Sequence, residues 1–431
     1  MSKNNDTIYA LSTPVGKGAI AIIRISGKSA LKALKKISSI KKLKPNRANV
    51  LLLKYNGSSI DQAMVLYYKT PKSFTGEDVV EINCHGGFAV INKFFKTFEG
   101  LGLRLAEPGE FTKRALLNNK IDLVKTESIS DIINAETEKQ REIALRNLSG
   151  ELSQFTKKIS EKISLILANL EALIDFSDED LPQGILKKIK EQNKNLVNKI
   201  KTELKNSELS KPIRDGINVA IIGKPNTGKS SFINFISKKE VSIVTNLPGT
   251  TTDLITSSID IRGIKFTFID TAGLRRHRNK IEEIGIKKTK DVIVKSNLNL
   301  VFLEKNEKYM YKKIEKKIFI KSKSDKRKKT NKKKEELNIS SITGEGIDLL
   351  LKNIYKKTIK KTKNEPILSR ERHINIMKNI LLTLESIKFN QSLDILAYEY
   401  RSALDLSLEI NEKFDIEKIL DIIFKDFCIG K

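Results

Sequence analysis

Residues 219–231 read VAIIGKPNTGKSS, and the fold of the surrounding chain is decided there. Val219 to Ile222 form a short, wholly apolar run that reads as a buried strand. It passes directly into Gly223-Lys-Pro-Asn-Thr-Gly228-Lys229-Ser230, the G-x-x-x-x-G-K-[ST] spacing, and then into a helix. Each position has a chemical task. Glycines let backbone N–H groups wrap a polyphosphate, and the helix N-terminus adds partial positive charge. Lys229 reaches the β- and γ-phosphates, while the Ser230 hydroxyl is a Mg2+ ligand. Asn226, Thr227, Gly228 and Ser231 complete the expected nucleotide-contacting loop.

The downstream pieces follow in the order that a nucleoside triphosphatase requires. FTFIDTAG (266–273) is an apolar strand ending at Asp270, placed to hold Mg2+ through water. Thr271, Ala272 and Gly273 follow, with Gly273 able to turn its backbone toward a γ-phosphate. TNLPGTT (245–251) supplies Thr245, Asn246, Leu247, Pro248, Gly249, Thr250 and Thr251, of which Thr251 is the second candidate Mg2+ hydroxyl. KSKSDK (321–326) resembles the guanine box Asn-Lys-x-Asp. There Asp325 accepts from the N1–H and N2–H2 edge of guanine, which adenine does not present, and Lys323 lays its stem along the base. Ser322 stands where Asn is usual, so shortened contacts to base and phosphate loop are expected; Ser324 fills the variable position. Ser340 and Ser341 in ISSITGEG (339–346) fit the last guanine-contacting loop. Leu274 follows Gly273 where many such enzymes carry a water-orienting Gln. Charge neutralisation must then come from elsewhere, and the Asn226 amide oxygen with carbonyls of 245–251 could hold a monovalent cation beside the phosphates.

Working outward, short β-rich runs with Gly and Pro turns over 1–118 predict an α+β domain. Three- and four-residue apolar spacing over 119–211 predicts helices. Between 212 and 364, apolar runs separated by polar helical stretches predict a parallel sheet with crossover helices. Helical periodicity returns over 365–431, which suggests a helical domain with the α/β domain inserted into it. The chain of 431 residues carries a net charge of +28, but only 15 of its 80 basic residues are arginines. A charge of that size suggests a polyanion such as nucleic acid or a membrane surface, and lysine on solvated faces is the competing reading. Cys84 and Cys428 show no paired spacing, which fits a reducing compartment. Without an apolar leader in MSKNNDTIYA or any long apolar run, a cytoplasmic protein away from membranes is expected.

Several stretches outside the nucleotide loops are more specific. LSTPVGKGAIAIIRISG (11–27), SFTGEDVVEINCHGG (73–87), PGEFTKRALLNNKIDLVKTESISDII (108–133), EALIDFSDED (171–180) and the terminal FCIGK (427–431) together resemble the bacterial MnmE (TrmE) family of tRNA modification GTPases. That family belongs to the TrmE-Era-EngA-YihA-Septin-like class, and the resemblance runs end to end. It implies an α+β N-terminal folate-binding and dimerisation domain (1–118) and a Ras-like G domain (212–364). It also implies a helical domain in two segments (119–211 and 365–431). A K+ ion held by Asn226, Thr245, Leu247 and Thr250 would replace an arginine finger, and Glu282 in NKIEEIGI would orient the attacking water through a second water. Formyl- or methylene-tetrahydrofolate would be bound by Arg24, Glu81, Lys120 and Lys431, with Cys428 near the one-carbon unit. Taken singly, Arg24 and Glu81 also read as cross-strand charges, and Lys120 as a surface helix lysine. The implied partners are a second copy, an FAD-containing MnmG-type protein and tRNA. The implied reaction adds an aminomethyl or carboxymethylaminomethyl group to C5 of a wobble uridine. Thr252, Thr227 and Ser322 depart from the family pattern, and 304–336 is shortened. Two other readings share the G boxes: a ribosome-assembly GTPase binding rRNA, and a nucleotide-gated binding protein without turnover.

Overall fold

In the computed structural model, residues 6–40, 42–175, 184–239, 256–271, 282–304, 307–326, 336–360, 362, 364–411 and 430 are described. The chain divides into two compact units. One comprises 1–133, 148–153 and 408–431; the other comprises 134–147 and 154–407.

The first unit contains β1 (Ile8–Leu11), β2 (Ile20–Ser26), α1 (Ala30–Ile37), β3 (Asn49–Tyr55), β4 (Ser58–Tyr68), β5 (Val79–His85), α2 (Phe88–Gly100), β6 (Arg104–Leu105), α3 (Glu110–Leu117) and α4 (Leu123–Ile133). Its six strands lie in the order β3-β4-β5-β2-β1-β6, antiparallel except for the β1–β6 pair. Alternation along each strand sorts the faces. Ile23, Ile25, Val65, Val80 and Ile82 point to one side, where Leu34 and Ile37 of α1 and Phe94 and Phe98 of α2 complete a core. On the other side Ile8, Ala10 and Ala106 pack with Phe111 of α3. Arg24 and Glu81 are on that second face, opposite each other in the β2–β5 register. The runs expected as strands in AIAIIRISG, MVLYYKT and DVVEINCHGG are β2, the end of β4, and β5.

The second unit holds most of α5 (Glu138–Leu148) and α6 (Glu151–Asp175), together with α7 (Ile185–Asn206) and α8 (Ser210–Asp215). It continues through β7 (Ile217–Gly223), α9 (Lys229–Lys239), β8 (Thr256–Ile261), β9 (Ile264–Asp270), α10 (Glu282–Lys295) and β10 (Leu298–Phe302). It ends with β11 (Lys317–Lys321), β12 (Glu336–Asn338), α11 (Ile347–Thr358), α12 (Glu371–Ser386) and α13 (Leu393–Leu408). The helical pairing follows from spacing. Ile189, Asn193, Leu196 and Ile200 of α7 are buried, as are His373, Met377, Ile380 and Leu384 of α12. Both sets recur at i, i+4, i+7 and i+11, which lines one stripe of each helix. The one polar member of the α7 stripe, Asn193, donates through Nδ2 to the Leu384 carbonyl at 3.0 Å.

The sheet of this unit has the order β12-β11-β10-β7-β9-β8. β7, β9, β10, β11 and β12 run parallel, as expected. β8 corrects the all-parallel expectation, because it is antiparallel to β9. The two strands are joined by the two-residue turn Arg262-Gly263, both residues in left-handed backbone (φ 57° and 81°). A connection that short can only reverse the chain direction. Every residue of β10 is buried and β7 is buried along most of its length, as strands covered on both faces must be.

Candidate functional site: a phosphate loop and its base-reading neighbours

β7 ends at Gly223, and α9 begins six residues later at Lys229. The loop between them is held from inside. Thr227 Oγ1 donates to the Lys224 carbonyl at 2.8 Å, and Lys229 Nζ donates to the carbonyls of Gly223 (3.0 Å) and Lys224 (2.6 Å). The Lys224 carbonyl therefore anchors both side chains, while the Lys224 ammonium itself pairs with Glu307 at 2.6 Å. That ion pair raises the Lys224 pKa. Glycine is favoured at 228 by backbone and by space. Its φ is +89°, and a Cβ there would meet Ser322 Oγ at 2.6 Å. Beneath the loop, Phe232 of α9 is fully buried between Phe268 and Phe302, with ring centroids 5.9 and 5.6 Å away. That apolar seat fixes where the helix N-terminus and its free N–H groups point.

Neighbouring elements bring in the remaining groups. Asp270 ends β9 in register with Ile221 and is buried, and Thr271 Oγ1 donates to the Ile221 carbonyl at 2.8 Å. The end of β9 is thereby tied beside the phosphate loop. Ser230 and Ser231 open α9 with exposed side chains. After β11, Ser322 is buried and donates to the Thr227 carbonyl at 2.6 Å. Lys323, at φ 61°, donates through Nζ to the Asn226 carbonyl at 2.8 Å. The short serine side chain reaches the phosphate loop directly, because the two loops approach closely at Gly228. Asp325 accepts from Ser340 Oγ at 2.7 Å, and Ser340 also accepts from the backbone of Ile342 and Thr343. The Ser341 hydroxyl is buried with no partner among the described residues. Asn226 lies in left-handed backbone, φ 62°. Thr245 to Thr251, Ala272, Gly273, Cys428 and Lys431 lie outside the described residues. Of Glu282, only its place at the start of α10 is described.

On the first unit's sheet, Arg24 donates to Glu81 Oε1 at 2.8 Å, the cross-strand pair expected of two charges in register. The Arg24 guanidinium lies 5.8 Å from the Phe74 ring centroid and 5.6 Å from that of Phe111. Burial, reinforced by Glu81, raises the pKa of Tyr68. Lys120 is in the turn after α3 rather than on a helix, and donates to the Pro71 carbonyl at 2.9 Å.

The charges of PGEFTKRA have a structural role that spacing alone does not assign. Arg114 is buried and bonds Asp6, Glu77 and Glu110, while Arg104 bonds Asp6 and Glu110. Burial pushes the Glu110 and Asp6 carboxyls up, but the arginine hydrogen bonds outweigh it and hold both below the usual range. Glu110 and Arg114 at i, i+4 flanking apolar Phe111 were the available signal. The chain end was also legible as unusual. Gly430 is buried at φ 101°, its carbonyl accepts from Ser12 Oγ at 2.9 Å, and a Cβ there would lie 2.0 Å from the Leu11 carbonyl oxygen.

A family model described as the MnmE helical domain matches residues 123–428, and one described as the GTP-binding protein TrmE N-terminus matches residues 7–120. A protein named tRNA modification GTPase MnmE from Fervidobacterium nodosum is 38% identical, over 99% of this chain and 98% of its own. Its namesakes from Thermotoga maritima and Aquifex aeolicus are each 35% identical, over 99% of this chain and 100% of their own. Among solved structures, the G domain of the T. maritima FeoB iron transporter is 22% identical, covering 33% of this chain and 99% of its own with a TM-score of 0.27.

Proposed function

Because the chain belongs to the MnmE family of tRNA modification GTPases, we propose that it is a K+-activated GTP hydrolase that works on tRNA with an FAD-dependent MnmG-type partner. The pair adds an aminomethyl or carboxymethylaminomethyl group to C5 of the wobble uridine, using a tetrahydrofolate one-carbon donor. The observation that carries the GTPase reading is the closure of the base-reading loop onto the phosphate loop, Ser322 on Thr227 and Lys323 on Asn226.

In hydrolysis, the oxygen of water bonds to the γ-phosphorus and the bond to the β–γ bridging oxygen breaks, releasing GDP and phosphate. Lys229 and the N-terminal amides of α9 hold the phosphates, Asp325 reads the N1–H and N2–H2 edge, and Glu282 orients the attacking water through a second water. Ser230 and Thr251, with Asp270 through water, suit Mg2+, which supplies positive charge to the phosphate oxygens. Asn226, Thr245, Leu247 and Thr250 suit K+, which supplies the charge an arginine finger brings elsewhere.

The folate assignment rests on the chemistry of one pair. A pterin presents a guanine-like donor edge, which suits Glu81 steadied by Arg24 between Phe74 and Phe111. Lys120 and the terminal Lys431 suit the carboxylates of the glutamate tail, with Cys428 beside the one-carbon unit. We assign residues 1–118 to folate binding and dimerisation, 212–364 to the G domain, and 119–211 with 365–431 to the helical domain. Among the described residues no helix is long and apolar enough to cross a membrane, and the cytoplasm, where tRNA is found, is the proposed location.

GTP hydrolysis in K+ and in Na+ at matched ionic strength, with ATP as control, tests the reading. GTP-selective turnover stimulated by K+ is expected. Nucleotide binding without turnover in either salt would replace it with a nucleotide-gated binding protein.

A further inference from the structure

We propose that Ser322 is a specificity-determining residue that clasps the base-reading loop to the phosphate loop and, in doing so, leaves N7 of guanine unread. This deepens the GTP reading above and rests on it. A hydroxyl carries one proton. The Ser322 proton goes to the Thr227 carbonyl at 2.6 Å, from a side chain only 4% exposed. Gly228 lets the phosphate loop approach this oxygen closely, since a single added carbon at 228 would meet it at 2.6 Å. Its remaining lone pairs can only accept, and N7 of guanine is itself an acceptor.

The next side chains of the loop also have protein partners, the Lys323 ammonium keeping two further protons. The Lys323 ammonium is on the Asn226 carbonyl, and the Ser324 hydroxyl is on Glu345 at 3.2 Å. Asp325 has one oxygen on Ser340 and a second free to accept from N1–H and N2–H2. An amide side chain at 322 would differ in kind, because its two N–H protons can serve the loop and the base together. Here the serine holds the loops together at the cost of one base contact, and recognition shifts to the N1–N2 edge.

Displacement of a fluorescent GDP analogue from the full-length protein by GTP, 7-deaza-GTP, ITP and ATP tests this. Wild-type protein should bind 7-deaza-GTP as tightly as GTP, within about twofold, since no hydrogen bond to N7 exists to lose. ITP, lacking the 2-amino group, should bind about tenfold or more weakly, since a charge-assisted bond to Asp325 is lost. Ser322→Asn should create discrimination against 7-deaza-GTP of about three- to tenfold, one neutral hydrogen bond. Ser322→Ala should weaken GTP and 7-deaza-GTP equally. Wild-type protein that excludes ATP yet binds 7-deaza-GTP threefold or more weakly than GTP overturns the proposal and leaves the GTP reading standing. ATP competing as well as GTP overturns the GTP reading itself. If Ser322→Asn binds no nucleotide, the wild-type comparison still decides.

Discussion

Arg114 shows how much one side chain can organise. Its guanidinium is buried among the carboxylates of Asp6, Glu77 and Glu110 and also donates to the Asp6 backbone carbonyl at 3.0 Å. Removing Arg114 takes this partner from Glu77 and leaves Asp6 and Glu110 with Arg104 alone, a loss that stays below the roughly 3–5 kcal/mol of a fully buried pair. Asp6 and Glu110 titrate below their ordinary values in the folded chain. Their contribution is therefore fully present above the ordinary carboxylate range near pH 4 and disappears as pH falls through the lowered values. Arg114→Met should accordingly melt below wild type at pH 7, and the gap between the two melting curves should narrow as pH falls below the ordinary carboxylate range. Calorimetry across that range checks it, and a gap that stays constant with pH would assign the loss to packing instead. Cys84 is the contrasting case. Burial pushes its thiol up to about 11 and leaves it inert at neutral pH.

At the scale of elements, the phosphate loop is only as good as the helix beneath it. α9 is seated by Phe232 between Phe268 of β9 and Phe302 of β10, so three elements meet at one ring. Phe232→Ala should cost about 3–5 kcal/mol and weaken GDP binding beyond that, whereas Phe232→Leu should retain most of both. Thermal melts with and without GDP separate the two effects: equal stabilisation by GDP in Phe232→Ala and wild type would show that the seat does not position the loop. β7, β9, β10 and β11 were legible because each is a short apolar run between polar segments, whereas the three residues ELN of β12 carry no such signal. The direction of β8 was not legible either. TSSIDI has no apolar excess, and its orientation is set by the two-residue turn after it.

At the scale of the whole molecule, the chain end returns to the chain start. Gly430 is bonded to Ser12, 418 residues away in sequence, and packs against the carbonyl of Leu11 with no room for a Cβ. Gly430→Ala must displace this contact, in a segment whose Cys428 and Lys431 the proposed chemistry uses. A misplacement of about 1 Å in a reacting group can cost about 10²-fold in rate. Modified-nucleoside yield should fall by that order while GTP turnover stays at the wild-type level, with both read on the same preparation. Equal loss of the two activities would mean that the tail supports the fold rather than the modification site.

By itself the sequence determined the chemistry that contiguous residues can encode. Phosphate-loop spacing, the apolar strands that flank it, the stripes of α7 and α12 and the family motifs are all local patterns, because backbone geometry and amphipathic periodicity act over a few residues. The tertiary structure decided what depends on approach across the chain. It paired Arg24 with Glu81, buried Arg114 among three carboxylates, carried Ser322 to a carbonyl 95 residues earlier, and set Gly430 against Leu11. Those contacts form where packed elements bring backbone and side chain within hydrogen-bonding distance, and sequence spacing does not encode that distance.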